Sequence, residues 1–317
     1  MKKYIYHQSL VPEIKNPVVY RMAIDRTKSL FKLPEIEILT PIGELCQPKT
    51  IEELCYDSTN EILNKAGTKK VVISWSGGID STMILSEFLK ITPKEQLVVL
   101  MNDNSILEYP DFYKKNIENQ LEIKNIDFHK KDALVECIQD GVLVTGHIMD
   151  NLFGEPHNYQ TMSKEKLNQK ITEFLSEVNE QSREMYTKLI EACPRKIVDV
   201  KDLFWWMNYT LSYQNEQLWV LLEIEEMILN KNIFHFADTK GWNDYSVSTS
   251  AEEKYKGHDF VNFKMPLKDH LYKFTKDDYY TRNKIKVNSW RNYRTPQELN
   301  KTIPLFITTD WKRGWKL

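Results

Sequence analysis

Residues 71–82 read Val-Val-Ile-Ser-Trp-Ser-Gly-Gly-Ile-Asp-Ser-Thr. Val71, Val72 and Ile73 supply the β-branched run of a buried parallel strand. Gly77 and Gly78 open backbone conformations closed to other residues and allow an oxyanion to approach the main chain. Ser76, Asp80, Ser81 and Thr82 then begin a helix whose apolar face is Ile79, Met83, Ile84, Phe88 and Leu89. Strand, tight turn and helix start together predict a polyanion cradle, built from amide N–H groups and the positive end of the helix. An ordinary capped turn is the rival reading.

The flanking sequence alternates in the same way. A helix is expected from Thr50, its N-cap, to Lys65, with Ile51, Leu54, Cys55, Ile62 and Leu63 facing inward and Gly67 ending it. Leu97–Met101 reads as a second strand, Tyr113 to Gln120 as a short helix and Ile126–His129 as a third strand. Leu134–Ile138 reads as helix and Val142–Thr145 as a fourth strand. Such alternation implies an α/β fold: a parallel sheet with helices on both faces and the nucleotide-binding turns on one edge. Apolar spacing over Leu167, Ile171, Phe174, Val178, Met185 and Leu189 predicts a long helix or helix pair from Ser163 to Ala192, a packed face with a homodimer seam as the alternative. A helix from Asp202 to about Asn230, apolar nearly all round, and a late strand at Ile233–Phe236 complete a mainly helical C-terminal part. Pro12, Pro17, Pro34, Pro41 and Pro48 punctuate the N-terminal residues. The expected organisation is an accessory segment over 1–68 whose helix packs on the core, then one domain over 69–317.

The chain has 317 residues, 41% hydrophobic and 28% charged, with a formal charge of −2, the composition of a globular protein with a sizeable core. Cys46, Cys55, Cys137 and Cys193 are scattered without a C-x-x-C pair, which argues against a zinc knuckle, a dithiol redox motif or a disulfide framework. Met1-Lys2-Lys3 leads into no apolar run, and the stretch Leu203 to Leu229 is broken by polar residues. A cytoplasmic location without membrane association is the expectation.

The turn is not a Walker A loop, since no Gly-Lys-Ser/Thr follows. It resembles the SGGxDS PP-loop of the N-type ATP pyrophosphatases at every motif position: Ser76, Gly77, Gly78, Asp80 and Ser81. The resemblance implies an adenine nucleotide α-hydrolase-like fold, ATP cleaved between its α- and β-phosphates, and adenylation of a carboxylate or carbonyl oxygen. The implied nucleotide-binding set is Ser74, Ser76, Gly77, Gly78, Asp80, Ser81 and Thr82, with Met101 beside the adenine and Gly146 beyond the fourth strand. Asn102-Asp103-Asn104-Ser105 is read either as a contact to adenine or ribose or as a turn. A carboxylate next to a triphosphate needs a cation between them, so Asp80 is expected to bind Mg²⁺.

Residues 145–154, Thr-Gly-His-Ile-Met-Asp-Asn-Leu-Phe-Gly, are similar to the second signature of the asparagine synthetase and β-lactam synthetase branch. That similarity makes Asp150 the second Mg²⁺ ligand and sets His147 beside the reacting acyl group. Those enzymes carry glutamate or tyrosine there, so histidine is a departure; a base acting on an attacking amine and a polar turn residue are its two readings. Phe263-Lys264-Met265-Pro266-Leu267-Lys268-Asp269 resembles the branch's Arg-x-Pro-Phe-Leu-Asp stretch more loosely. Lys284 or Lys286 is expected to fill the place of its late catalytic lysine, with Lys286 preferred. The similarity runs over about residues 50 to 290. Only some seventy residues precede the loop and residue 2 is Lys2, so no glutaminase domain is expected, and nitrogen would come from ammonia, another protein or the substrate.

The implied activity is that of an AMP-forming ligase joining a small-molecule carboxylate to an amine, with ATP and Mg²⁺. Two alternatives stand beside it: a PP-loop enzyme modifying a nucleobase in tRNA or DNA, and a nucleotide-binding protein without turnover. The first draws on residues 264–317, where 13 Lys/Arg against 5 Asp/Glu are interleaved with aromatics within the basic segment 241–317. Closure over ATP and a solvated surface are the other readings of that stretch. His235, His258 and His270, with Asp238, Asp244 and Asp259, lack metal-ligand spacing and are read as structural.

Overall fold

The computed structural model describes residues 3–5, 25–30, 38–125, 141–154, 163–214, 216–217, 232–255, 263–283 and 306–308. Lys3–Ile5 (β1) pairs antiparallel with a strand near the other end of the chain. Helix α1, Ile51–Ala66, starts as expected: Thr50 accepts from the Glu53 amide while Glu53 accepts from the Thr50 amide. Gly67 ends it at φ 57°.

The main sheet then begins. Its strands are β2 (Lys70–Ser74), β3 (Leu97–Met101), β4 (Glu122–Asn125), β5 (Gly141–Thr145) and β6 (Ile233–His235). All neighbours are parallel, in the order β4-β3-β2-β5-β6. Every residue of β3 and β5 is buried, as are Val71, Val72 and Ile73, so alternate side chains meet cover on both faces. The strand order reverses between β2 and β5, the point where open α/β sheets hold their ligands. In general form the arrangement is Rossmann-like.

Helix α2, Ile79–Ile91, connects β2 to β3; α3 (Asp103–Glu108) and α4 (Pro110–Asn116) connect β3 to β4. The expected helix over 113–120 therefore lies earlier, because Pro110 presets its first turn. β4 likewise precedes the expected strand at Ile126–His129. It is a half-exposed Glu-Ile-Lys-Asn edge that no search for an apolar run would find. Residues 126–129 and the expected helix Leu134–Ile138 lie outside the described residues.

Beyond β5 come α5 (Met149–Phe153), α6 (Lys164–Leu167), α7 (Ile171–Glu177), α8 (Glu180–Glu191) and α9 (Val200–Met207). The expected long helix or pair at 163–192 is thus three helices. Asn179 caps α8 by accepting from the Ser182 amide at 2.8 Å, and the main chain at Lys170 forms an antiparallel bridge with Asp199, so a local cap and a long-range bridge each interrupt a continuous helix. Helix α9 starts ahead of Asp202 because Asp199 is its cap, and it widens into a π turn at Asn208–Ser212. The remainder of the expected helix, from 218 to 230, lies outside the described residues. After β6 follow α10 (Lys240–Ser248), α11 (Ala251–Tyr255), α12 (Met265–Thr275), α13 (Asp278–Asn283) and β7 (Phe306–Thr308), the partner of β1.

Packing ties these parts into one core. Helices α1, α2 and α12 lie against one another. The segment before α1 is pinned by Arg26, whose guanidinium donates to the carbonyls of Thr40, Pro41 and Tyr209 and to Asn243 Oδ1, with the Tyr213 ring 4.0 Å away. Among the described residues no helix is long and apolar enough to cross a membrane.

Candidate functional site

The turn between β2 and α2 sits at the carboxyl edge of the sheet, and its floor is Trp75. The Trp75 amide donates to Leu100 O at 2.9 Å, carrying β2 one residue further along β3. Its buried indole stacks on Phe112 and donates to Thr82 Oγ at 3.1 Å. Thr82, expected to touch nucleotide, is fully buried and braces the turn from below. Ser74 ends β2 half-buried opposite Leu100, and Met101 ends β3 inside the core.

Gly77 is required twice over. Its φ is +73°, and a Cβ there would lie 2.4 Å from Ser105 O and 2.7 Å from Glu108 Cβ. The Gly77 carbonyl accepts from the hydroxyl of Tyr280, whose buried ring stacks on Tyr109 with centroids 3.4 Å apart. Tyr109 in turn donates to Asp277 at 2.9 Å. Through this chain of contacts the α12–α13 corner holds the loop, a connection with no signature in local sequence.

Within the turn, hydroxyls meet amides. The Ser76 N–H donates to Ser81 Oγ at 3.1 Å and the Gly78 N–H to Ser76 Oγ at 3.3 Å. Gly78 is the extended N-cap of α2, and no described side chain caps that helix start. Asn102, read as either ligand contact or turn, forms a capping box with Ser105 at the start of α3.

The second motif comes to the same place. Gly146 follows β5, and a Cβ on it would approach Asp80 Cβ and Ile84 Cδ1 to 3.1 Å, so glycine lets this turn lie directly against α2. Asp80 and Asp150, each in the first turn of its helix, then converge. Between them stands Lys264. Its Nζ is 2.7 and 2.6 Å from the two Asp80 oxygens and also pairs with Asp150 Oδ1. Burial pulls the Lys264 ammonium down, but the Asp150 and Asp80 carboxylates outweigh it and hold its pKa above the ordinary lysine value. Lys264 is the N-cap of α12 in left-handed conformation, with φ 58° and ψ 34°. His147 is exposed on the turn after β5.

Two hard carboxylates converging on one cation are a donor set that suits Mg²⁺, once the ammonium gives up that position. Lys284 and Lys286, between which the resemblance sets a late catalytic lysine, lie outside the described residues, and Lys264 is not singled out by that resemblance. The available signal was its place just before Met265-Pro266, a proline-marked helix start.

Of the other histidines, His235 and His270 are occupied in the core. His235 Nδ1 pairs with Thr145 Oγ at 2.8 Å and Nε2 with Gln217 O at 3.0 Å, and burial lowers its pKa to about 4. His270 pairs with Glu87 at 2.7 Å, which Lys90 also contacts; Cys55 lies nearby, all three ligand atoms falling within 4.8 Å. His258 and Asp259 lie outside the described residues. Cys46, Cys55 and Cys193 are free thiols. In the described part of the basic stretch, Lys273 pairs with Glu52 and Arg282 with Asp278. Of its aromatics Tyr280 is core, whereas Tyr272 and Tyr279 are exposed.

No family model matches the chain, and searches of curated proteins and of solved structures returned no match.

Proposed function

We propose that this chain is an ATP-dependent, AMP-forming ligase of the PP-loop kind, activating a carboxylate or carbonyl oxygen and passing it to a nitrogen nucleophile. The observation that carries the reading is the convergence of Asp80 and Asp150 beside a left-handed Gly77 turn at the sheet's switch point. A glycine forced by two independent constraints, next to an uncapped helix start, fits close approach of main chain to phosphate oxygen. An entering anion would replace the neutral Ser76 and Ser81 hydroxyls as acceptor for the loop amides, gaining charge-assisted hydrogen bonds.

In this reading the amides of residues 76–81 hold the β- and γ-phosphates, the leaving pyrophosphate. Met101, with the Asn102 turn, borders the adenine, and Ser74 and Gly146 line the walls. Asp80 and Asp150 would hold Mg²⁺, which when bound neutralises phosphate charge. His147, exposed on the turn that leads to Asp150, would take a proton from the attacking amine. Lys264 takes over the charge-neutralising role that the sequence placed at Lys286. Orientation and charge neutralisation supply most of the catalysis.

The test is product analysis with ATP, Mg²⁺, a panel of carboxylic acids and ammonia or amines. Acceptor-dependent AMP and pyrophosphate are expected; ADP with orthophosphate contradicts the reading. One observation favours a second reading, a nucleotide-binding protein without turnover: an ammonium stands at the cation position. Tight ATP binding with no AMP across the whole panel would select it. Base modification in nucleic acid is less well supported, since described cations at 264, 273 and 282 are paired within the chain.

A further inference from the structure

We infer that Lys264 is an exchangeable counter-ion: it holds the Asp80–Asp150 position until a divalent cation takes it, and then turns its ammonium to the anion bound in the loop. Three features of the geometry lead there. The ammonium touches both carboxylates at ion-pair distance, so it and a metal ion compete for the same oxygens. The order of burial is uneven: the Lys264 side chain is 4% exposed, whereas Asp80 is 25% and Asp150 40% exposed. A solvent ion therefore meets the carboxylates first, with the ammonium behind them. Within this trio two negative charges face one positive charge.

The main chain of Lys264 does not have to move. Its carbonyl accepts from the Leu267 and Lys268 amides at 3.0 and 3.1 Å, and Phe263 and Met265 on either side are buried. Only the four-carbon stem is free to swing, and a lysine stem is flexible enough to carry the charge from one oxygen set to a neighbouring one. Asp80 lies in the helix turn that follows the loop, so the loop's anion is the adjacent acceptor.

The consequence is a pair of effects with opposite signs. Removing the charge takes a competitor away from the metal and a partner away from the anion. For Lys264→Met and Lys264→Gln, Mn²⁺ alone should bind roughly ten-fold or more tightly than to the unaltered chain, by electron paramagnetic resonance titration, since one neighbouring charge shifts ionic equilibria by 1–3 log units. Inorganic pyrophosphate with Mg²⁺ should bind roughly ten-fold or more weakly to the same variants, for the same reason. Unchanged or weaker Mn²⁺ binding in variants that melt like the parent would overturn the inference, because a mere brace does not compete.

A measurement on the unaltered chain covers variants that fail to fold. Reductive methylation read by mass spectrometry should leave Lys264 protected without metal, modify it when Mg²⁺ is added alone, and protect it again when pyrophosphate joins. A Lys264 equally unreactive in all three conditions overturns the exchange. The pyrophosphate arm rests on the phosphate-binding reading proposed above, while both metal-only arms do not. An unaltered chain that binds no pyrophosphate while metal and ammonium still compete thus sinks that reading and leaves the exchange at the two carboxylates standing.

Discussion

Lys254 and Lys264 are both buried, ten positions apart, and their surroundings set them in opposite directions. Lys254 donates to Ser246 O at 2.6 Å and lies 3.9 Å above the Trp205 ring, which Arg195 also covers at 4.3 Å. Burial, then the nearby Arg195 charge, drive its pKa well below the ordinary lysine value, against the weaker pull of Asp202. Lys264 is as deeply placed yet keeps its charge, because two carboxylates from separate motifs reach it. Burial alone does not tell a core lysine from a site lysine; the partners do. Lys254 belongs to the packing of α9, α10 and α11, and Lys264 to the carboxylate pair at the sheet edge.

The largest expected effect is at the loop that gives Lys264 its meaning. Gly77→Val adds left-handed strain and two clashes, for a loss of about 2–5 kcal/mol and of all pyrophosphate binding in calorimetry. Gly67→Ala is the control: φ is +57° but a Cβ meets nothing within 4 Å, so only about 1–2 kcal/mol of backbone strain is expected, with binding retained. Equal damage from both would mean that the Gly77 turn is nothing more than a fold element.

Next in size is the pH dependence of Lys254. Its folded pKa lies below its unfolded one, so the unfolded chain binds more protons there and stability rises with pH toward the ordinary lysine pKa. The slope is about 1.4 kcal/mol per pH unit wherever only the unfolded form is charged. Lys254→Met should remove that slope in urea melts while leaving pyrophosphate affinity unchanged. A variant that folds but loses the ligand would erase the contrast between the two lysines. His235 offers a smaller, acidic counterpart. Its folded pKa near 4 lies below the ordinary 6.5, so stability present at neutral pH falls as pH drops from 6.5 toward 4. His235→Asn should flatten that limb of the urea-midpoint curve. The smallest effect is Tyr280→Phe, which removes the hydrogen bond to Gly77 O at a cost of about 0.5–1.5 kcal/mol. Faster amide exchange at Gly78 should accompany it; exchange as slow as in the parent would show that the hydroxyl does not steady the loop.

What was legible in the sequence follows from where each signal resides. β2, β3 and β5 are continuous apolar runs because both faces are covered, and Thr50, Glu53 and Gly67 mark α1 through local hydrogen bonds and local φ. β4 has no signature in the sequence because an edge strand needs no apolar run, and the periodicity over 163–192 reads as one long helix or a pair because it does not register the breaks at Asn168 and Asn179. The family resemblance of the two motifs singles out Asp80 and Asp150, and Gly146 shows physically why they meet. Lys264 escaped because its significance is wholly tertiary: an ion pair across 184 residues to Asp80, fixed by a left-handed cap that local pattern does not announce. The bracing of Gly77 by Tyr280 is of the same kind.

Amide hydrogen exchange with and without ATP and Mg²⁺ probes the proposed phosphate cradle most directly. Protection concentrated at residues 76–82, with a second patch at 146–151, is the expected result. Nucleotide that binds while leaving both stretches unprotected, or that shields some other part of the chain, would contradict it.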